Sequence, residues 1–168
     1  MTTSTEDPSH ISQLMKKHGA LFSKHFSSKL DEQTAVLKAH LLIESIIRDF
    51  CYSSVRHPEH LRKSRLSFHQ IVGLARSLMF LDSPAIDTFW GMVNQLNLLR
   101  NLMAHELEPN EDKIEACKKA LMSAAKLSSL NDSLSYLCGV MHSLLPVSLE
   151  LHHNPQSLDD PGSEEESK

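Results

Sequence analysis

The sequence predicts an all-α fold, and three observations lead to that prediction. Leu, Ile, Met and Ala supply most of the 40% hydrophobic content, whereas aromatic residues make up only 5%. Such a composition favours helices over sheets. Only 5 glycines occur among the 168 residues, and no segment shows the alternation of a strand. We therefore expect one bundle of five or six helices over residues 1–153, followed by a disordered acidic tail at 154–168.

The first half of the chain predicts three helices separated by polar breaks. Ser9 is suited to cap a helix from about residue 10 to 24. A longer helix is expected over about residues 31–55, where apolar residues recur at helical spacing. Pro58 predicts a break in the segment that follows, and Ser67 is suited to cap a third helix that ends at Phe80.

The second half predicts three more helices. Asp82-Ser83-Pro84 combines a capping residue with a proline at the first helical position, so a fourth helix is expected from there to about His105. Asn110 is suited to cap a fifth helix, which we expect to include Leu127. A last helix is expected from about residue 131 to Leu145, ending at Pro146. The segment from Ser133 to Leu149 contains no Asp, Glu, Lys or Arg, but it is too short and too rich in serine to span a membrane. We therefore expect it to form a buried helix.

Charge and cysteine content exclude several classes of protein. The net charge of −4 argues against a protein that coats nucleic acid through bulk charge. The three cysteines, Cys51, Cys117 and Cys138, are widely spaced and form no C-x-x-C pair, so we expect neither a disulfide framework nor a zinc site. The polar N-terminus is unlike a signal peptide. A reducing cytoplasm is the expected location, and no phosphate-binding glycine loop or other cofactor motif is present.

The fourth predicted helix has a core face and a second face that becomes polar. At about 100° per residue, one stripe is apolar throughout and is expected to face the core: Phe89, Met92, Leu96, Leu99 and Met103. The second face begins with Ile86, Trp90 and Val93, which we expect to form an apolar seam in a two-fold dimer. It continues into Asn97, Asn101 and Ala104, with Arg100 toward the core and His105 at the far edge.

At Arg100-Asn101-Leu102-Met103-Ala104-His105 the chain resembles the HEPN superfamily of all-α toxins, defence proteins and RNases. The signature of that family is an Arg, usually followed by a polar residue, and a His a few positions later. The preceding Leu96-Asn97-Leu98-Leu99 and the acidic residue Glu44 of the long second helix are also similar to the family. The resemblance spans about residues 31–127. Leu107 departs from it, because one branch has a tyrosine at that position.

The resemblance implies metal-independent cleavage of RNA. Arg100 would hold the phosphate and His105 would transfer a proton, while Asn101, Asn97 and Glu44 would support them. Because the reaction uses both an acid and a base, a dimer would supply the second histidine. The expected products carry a 2′,3′-cyclic phosphate and a 5′-hydroxyl. We expect Glu44 to pair with either Arg100 or Arg48.

Other interpretations of these residues remain open. Arg100 and His105 would also suit the C-terminal end of their own helix, where the helix dipole favours cations. The chain would then be a non-catalytic binding module, such as a regulator, antitoxin or immunity protein that docks a protein partner. Arg62, Lys63 and Arg65 could guide RNA or form a solvated loop. His57 and His60 are a poor metal pair, because Pro58 interrupts their helix.

Overall fold

The structure is a computed structural model that describes residues 10–27, 29–105 and 110–153, with the side chains at positions 105 and 152 outside the description. The predicted cap at Ser9 and the predicted tail at 154–168 lie outside the described residues. The described part of the chain is all-α and has no strand. It contains seven helices: α1 (His10–His25), α2 (Glu32–Ser54), α3 (Pro58–Lys63), α4 (Phe68–Leu78), α5 (Pro84–His105), α6 (Glu111–Ala125) and α7 (Leu130–His153).

Helix α2 is the centre of the bundle. It packs against α1, α3, α4, α5 and α7, and its most extensive contact is with α7. Positions three or four residues apart along α2 are buried, as an amphipathic helix requires. The buried face includes Val36, Ala39, Ile43, Ile47 and Phe50. The predicted long second helix is thus confirmed, and every side chain that it carries has a fixed position relative to four other long helices.

Side-chain caps start five of the described helices, including α5 at Ser83 and α7 at Ser129. The Asp31 side chain accepts a hydrogen bond from the Thr34 amide at the start of α2 (2.9 Å). Ser67 and Gln70 form a reciprocal capping box at the start of α4. Asn110 accepts from the Lys113 amide at the start of α6 (3.0 Å). The predicted caps at Ser67 and Asn110 are confirmed, because short polar side chains satisfy amides that have no partner within the helix.

Two prolines behave differently from the prediction. Pro58, expected to mark a break, occupies the first position of the short helix α3, where its missing amide hydrogen costs no hydrogen bond. Pro146, expected to end the last helix, lies inside α7. Leu145 and Leu149 on either side of Pro146 are fully buried. We attribute the continuation of the helix to this burial, which offsets the hydrogen bond that proline removes.

Helix α7 is long and apolar enough to cross a membrane by length and composition alone, and it is the one such helix among the described residues. The same composition is typical of the central helix of a bundle. One stripe of α7 is buried against the other helices: Leu130, Leu134, Leu137, Met141, Leu145 and Leu149. This packing is the one expected from the sequence for a buried helix.

The predicted dimer seam on α5 is wrong. Trp90 is 2% exposed and Val93 is fully buried within this single chain. Helix α5 packs against α2, α6 and α7, so its second apolar strip is covered inside the bundle. A surface already buried in the monomer is not available to a second copy. Any dimer must use another face of α5 or another element.

A candidate polar site between helices α2 and α5

The second half of α5 carries the Arg100–His105 motif beside a well-packed core stripe. Met92, Leu96 and Leu99 are buried, which confirms the predicted core face. Asn97, Arg100 and Asn101 are half-buried and Ala104 is exposed. The polar part of the helix therefore lies at the edge of the bundle, where α5 faces α2. Core packing of the stripe fixes the rotation of α5 and with it the direction of these side chains.

Asn101 positions the guanidinium group of Arg100. Arg100 Nη1 donates a hydrogen bond to Asn101 Oδ1 at 3.0 Å. We expected Asn101 to support Arg100 and His105, and in the structure it contacts Arg100. The positive charge of Arg100 also acts on His40 of α2. Arg100 and Asn101 thus belong to a polar cluster between the two helices, which also contains Asn97 of α5 and His40 of α2.

His40 is a residue of the candidate site that the sequence did not predict. It is 5% exposed, and its Nε2 donates to Asn97 Oδ1 at 3.1 Å. Its ring packs on Phe68 of α4 with the ring centroids 4.3 Å apart. A signal was present in the sequence, because His40 is a polar residue between Val36 and Ile43 on an otherwise apolar stripe. Such a residue requires a buried partner, and here Asn97 provides it.

Burial lowers the pKa of His40 below its ordinary value of 6.5. The hydrogen bond to Asn97 and the charge of Glu44 act in the opposite direction, while the charge of Arg100 lowers the pKa further. Desolvation disfavours the charged imidazolium, and in this site it outweighs the two favourable contacts. His40 is consequently a neutral ring at pH 7, with the Nε2 proton directed to Asn97 and an unprotonated Nδ1.

Glu44 binds Arg48 and not Arg100. Arg48 donates to Glu44 Oε1 from Nε at 2.9 Å and from Nη2 at 2.7 Å. The other carboxylate oxygen lies 3.9 Å from His40 Nδ1. Of the two partners expected for Glu44, the structure therefore selects the one on the same helix, four residues away. Glu44 still borders the polar cluster through His40.

These contacts continue along α2 as a polar ridge, defined by His40, Glu44, Arg48 and Tyr52. The four residues recur every fourth position, so each one neighbours the next on the helix surface while their line turns by about 40° per step. The ridge spans about 18 Å at 1.5 Å per residue. At its far end the Arg62 guanidinium lies 4.8 Å from the centre of the Tyr52 ring. The ridge thus links the basic segment to the α5 motif.

The basic residues Arg62, Lys63 and Arg65 are all exposed. They lie at the end of α3 and in the turn before α4, where Arg65 adopts a left-handed conformation with φ of 49°. Arg48 holds this turn, because its Nη2 donates to the Leu66 carbonyl at 2.8 Å. The segment is therefore attached to the polar ridge at both ends of its turn.

The other polar candidates do not assemble into a site. His57 and His60 are exposed side chains that both lie near Glu59, at 3.4 and 3.6 Å. Within the described ranges, no group of three His, Cys, Asp or Glu side chains is arranged to hold a metal ion. The thiols of Cys51, Cys117 and Cys138 are free and buried.

His105 is the last residue of α5, and its backbone continues the helix. Position 105 lies seven residues beyond Leu98 and fourteen beyond Gly91, so the three positions follow nearly one line along the helix. Leu98 is 47% exposed, and Gly91 is exposed as well. Gly91 and Leu98 thus mark a solvent-exposed side of α5 within this chain, and the backbone of position 105 continues their line.

Comparisons with protein-family models, with curated proteins and with solved structures find no match to this chain. The functional interpretation therefore depends on the residues and their geometry.

Proposed function

We propose that this protein is a HEPN-type endoribonuclease of the cytoplasmic toxin or defence kind, which cleaves RNA without a metal ion. The observation that supports the proposal is the polar cluster between α2 and α5. Arg100 is half-buried there, held by Asn101 and bordered by a neutral His40 that Asn97 fixes. The core of a helical bundle has no need of these four polar side chains. Three of them surround Arg100, the residue that the HEPN motif assigns to the phosphate.

In this proposal Arg100 binds the scissile phosphate. A guanidinium group has five N–H donors in a planar fork, which matches two phosphate oxygens at once. Its charge stabilises the extra negative charge of the pentavalent transition state. Asn101 holds one edge of the fork and reduces the number of orientations that Arg100 can adopt. This preorganisation lowers the entropy lost when RNA binds.

His105 is proposed to transfer the protons. With an ordinary pKa near 6.5, a histidine can accept the 2′-hydroxyl proton or donate one to the leaving 5′-oxygen. The 2′-oxygen attacks the phosphorus and the bond to the 5′-oxygen breaks, which yields a 2′,3′-cyclic phosphate and a 5′-hydroxyl. No metal-bound water enters this scheme.

A second copy of the chain is proposed to supply the other histidine. Helix α5 exposes Gly91 and Leu98, and position 105 follows on the same line, so a two-fold contact along this line would bring two motifs together. His40 is the other histidine near Arg100, but it is buried and its Nε2 is engaged with Asn97. We therefore propose that His40 positions Asn97, and through Asn97 the polar face of α5.

The polar ridge on α2 is the proposed path for the RNA strand. Its exposed end carries Arg62 over Tyr52, a pair that offers a cation beside an aromatic face. Phosphates bind the cation and bases stack on the ring in known single-strand sites. From Arg62 the ridge leads through Arg48 to His40 and Arg100. Local basic residues can thus attract RNA although the net charge of the chain is −4.

The proposal is tested by expressing Arg100→Ala and His105→Ala beside the wild type. Wild type is expected to arrest growth and to degrade cellular RNA, and each variant is expected to lower the cleavage rate by about 10²–10⁴-fold. Lys24→Ala and His25→Ala serve as controls, because both residues are exposed on α1, a helix that does not contact α5. Equal cleavage by all five proteins would contradict the proposal.

The second candidate is a non-catalytic module that docks a protein partner. One observation favours it: Phe89 of α5 and Tyr136 and Val140 of α7 line an open apolar groove of about 620 Å³. Tyr136 is 42% exposed. Clustered exposed apolar side chains of this kind mark interaction surfaces. Two results together would support this second function in place of the first. The wild type would leave RNA intact, and it would bind a protein partner that the Tyr136→Ser variant does not bind.

A further inference from the structure

A second groove, separate from the one beside Phe89 and Tyr136, lies between α1 and α2. It has a volume of about 430 Å³. Its walls are largely apolar and include Leu21, Phe26, Leu37, Leu41 and Leu42. The Phe26 ring is stacked on Phe22 with the centroids 5.1 Å apart, so this wall is held in place. Sites for small molecules typically have such volumes and apolar linings, with a few polar groups.

Lys38 is the lining residue that carries a permanent positive charge. It is half-buried, and its Nζ donates one hydrogen bond, to the His25 carbonyl at 3.1 Å. None of the described carboxylates lies within ion-pair distance of it. The nearest acids along α2 are engaged elsewhere, because Glu32 binds Lys118 and Glu44 binds Arg48. An ammonium group in a groove without a counter-ion is an anion-binding element.

The dimensions of the groove indicate the size of its ligand. Along α2 the lining residues run from Thr34 to Ser45. Lys38 lies one turn beyond Thr34, beside the C-terminus of α1, and the longer part of the groove extends from Lys38 to Ser45. Seven residues separate them, which corresponds to about 10 Å along the helix. An extended chain advances about 1.2 Å per bond, so eight or nine bonds span this length.

We propose that the groove between α1 and α2 binds a small amphipathic monoanion, with its anionic head at Lys38 and an apolar body of about eight to ten carbons along Leu41 and Leu42. A medium-chain carboxylate has this chemistry. Its head would replace the missing counter-ion of Lys38, and its chain would cover leucines that are now in contact with water. Leu37 is 44% and Leu41 56% exposed. The proposal does not depend on RNA cleavage.

Decanoate and decanol are the probes for the experiment, with binding measured by calorimetry on the full chain. Wild type is expected to bind decanoate at one saturable site. Lys38→Met should weaken decanoate binding about five- to tenfold and leave decanol binding unchanged, because only the ion pair is lost. Leu41→Asn should weaken both ligands about tenfold through the loss of apolar contact. Leu41 is exposed enough for this substitution to leave the fold intact.

Matched controls separate this site from general hydrophobic binding. Lys24→Met removes an exposed charge of α1 that does not line the groove, and Val147→Asn replaces an apolar residue of α7 that is 48% exposed. Both should bind decanoate like wild type. The proposal is overturned if decanoate shows no saturable binding, or if Val147→Asn weakens decanoate binding as much as Leu41→Asn does. It is also overturned if the protein binds anionic phospholipid vesicles, used as a third probe, but not decanoate.

Discussion

At the residue scale, the candidate site depends on which polar side chains the two helices bring together. The sequence placed Asn97, Asn101 and Ala104 on one side of α5 with Arg100 toward the core, and in the structure the first two and Arg100 are half-buried while Ala104 is exposed. The sequence did not predict His40, because the partner that satisfies His40 lies 57 positions away in the chain. The structure was also needed to show that Glu44 pairs with Arg48 and not with Arg100. Sequence periodicity gives the face of a residue, but contacts between helices decide its partner.

His40 gives a prediction on pH dependence. Its pKa is lower in the folded protein than the ordinary value of 6.5, so below about pH 6.5 the unfolded chain binds the extra proton first. The free energy of unfolding should therefore fall as the pH drops from 6.5 to the lower folded pKa, by at most about 1.4 kcal/mol per pH unit. Over this pH range the free energy of unfolding of His40→Gln should fall less than that of wild type, because the variant has no titrating group at position 40.

Urea unfolding at about pH 7.5 and about pH 5 checks this prediction. His69→Gln is the matched control, since His69 is exposed on α4. Other groups contribute equally to all three proteins. Among them is Asp49, whose pKa burial would raise but hydrogen bonds from His18 and Lys17 lower. An identical acid loss in wild type and His40→Gln would show that His40 is not held neutral.

At the scale of the helices, local signals predicted starts better than ends. Caps at Ser67 and Asn110 and the proline at Pro84 mark helix starts through chemistry within four residues. The end of α6 carries no glycine. We expected this helix to include Leu127, but α6 ends at Ala125 and Leu127 is 39% exposed. Lys126 instead adopts the left-handed conformation that terminates the helix, with φ of 57°.

Lys126→Gly should stabilise the protein. A side chain in the left-handed region costs about 1–2 kcal/mol, and glycine avoids this cost while its greater flexibility in the unfolded chain offsets about half of it. We expect the free energy of unfolding to rise by about 0.5–1 kcal/mol. Lys126→Ala, which removes the charge but retains Cβ, should give no gain. Chemical denaturation measures all three proteins, and equal stability of the glycine and alanine variants would refute the account of this turn.

At the scale of the whole molecule, composition was sufficient for the all-α class but not for the assembly. Trp90 and Val93 follow a helical line that looked unpartnered in the sequence, and helices of the same chain cover them. A one-dimensional pattern identifies an apolar face without identifying its neighbour. The proposed dimer therefore uses the line through Gly91, Leu98 and position 105.

Leu98→Arg tests this assembly. If two copies meet along that line, the substitution introduces an uncompensated charge into the contact and should convert a dimer to a monomer in sedimentation experiments. Leu41→Arg is the matched control, because Leu41 is equally apolar and exposed on α2. Trp90 emission should remain that of a buried ring in both variants. A monomeric wild type, or a Trp90 emission that shifts on dilution, would contradict the assignment.

The most direct test of the account is the chemistry of the RNA ends after incubation with purified protein in the presence of a metal chelator. The account predicts that wild type cleaves RNA and leaves 2′,3′-cyclic phosphate and 5′-hydroxyl ends, and that Arg100→Ala and His105→Ala do not. Intact RNA with wild type, or cleavage that both variants retain, would contradict it.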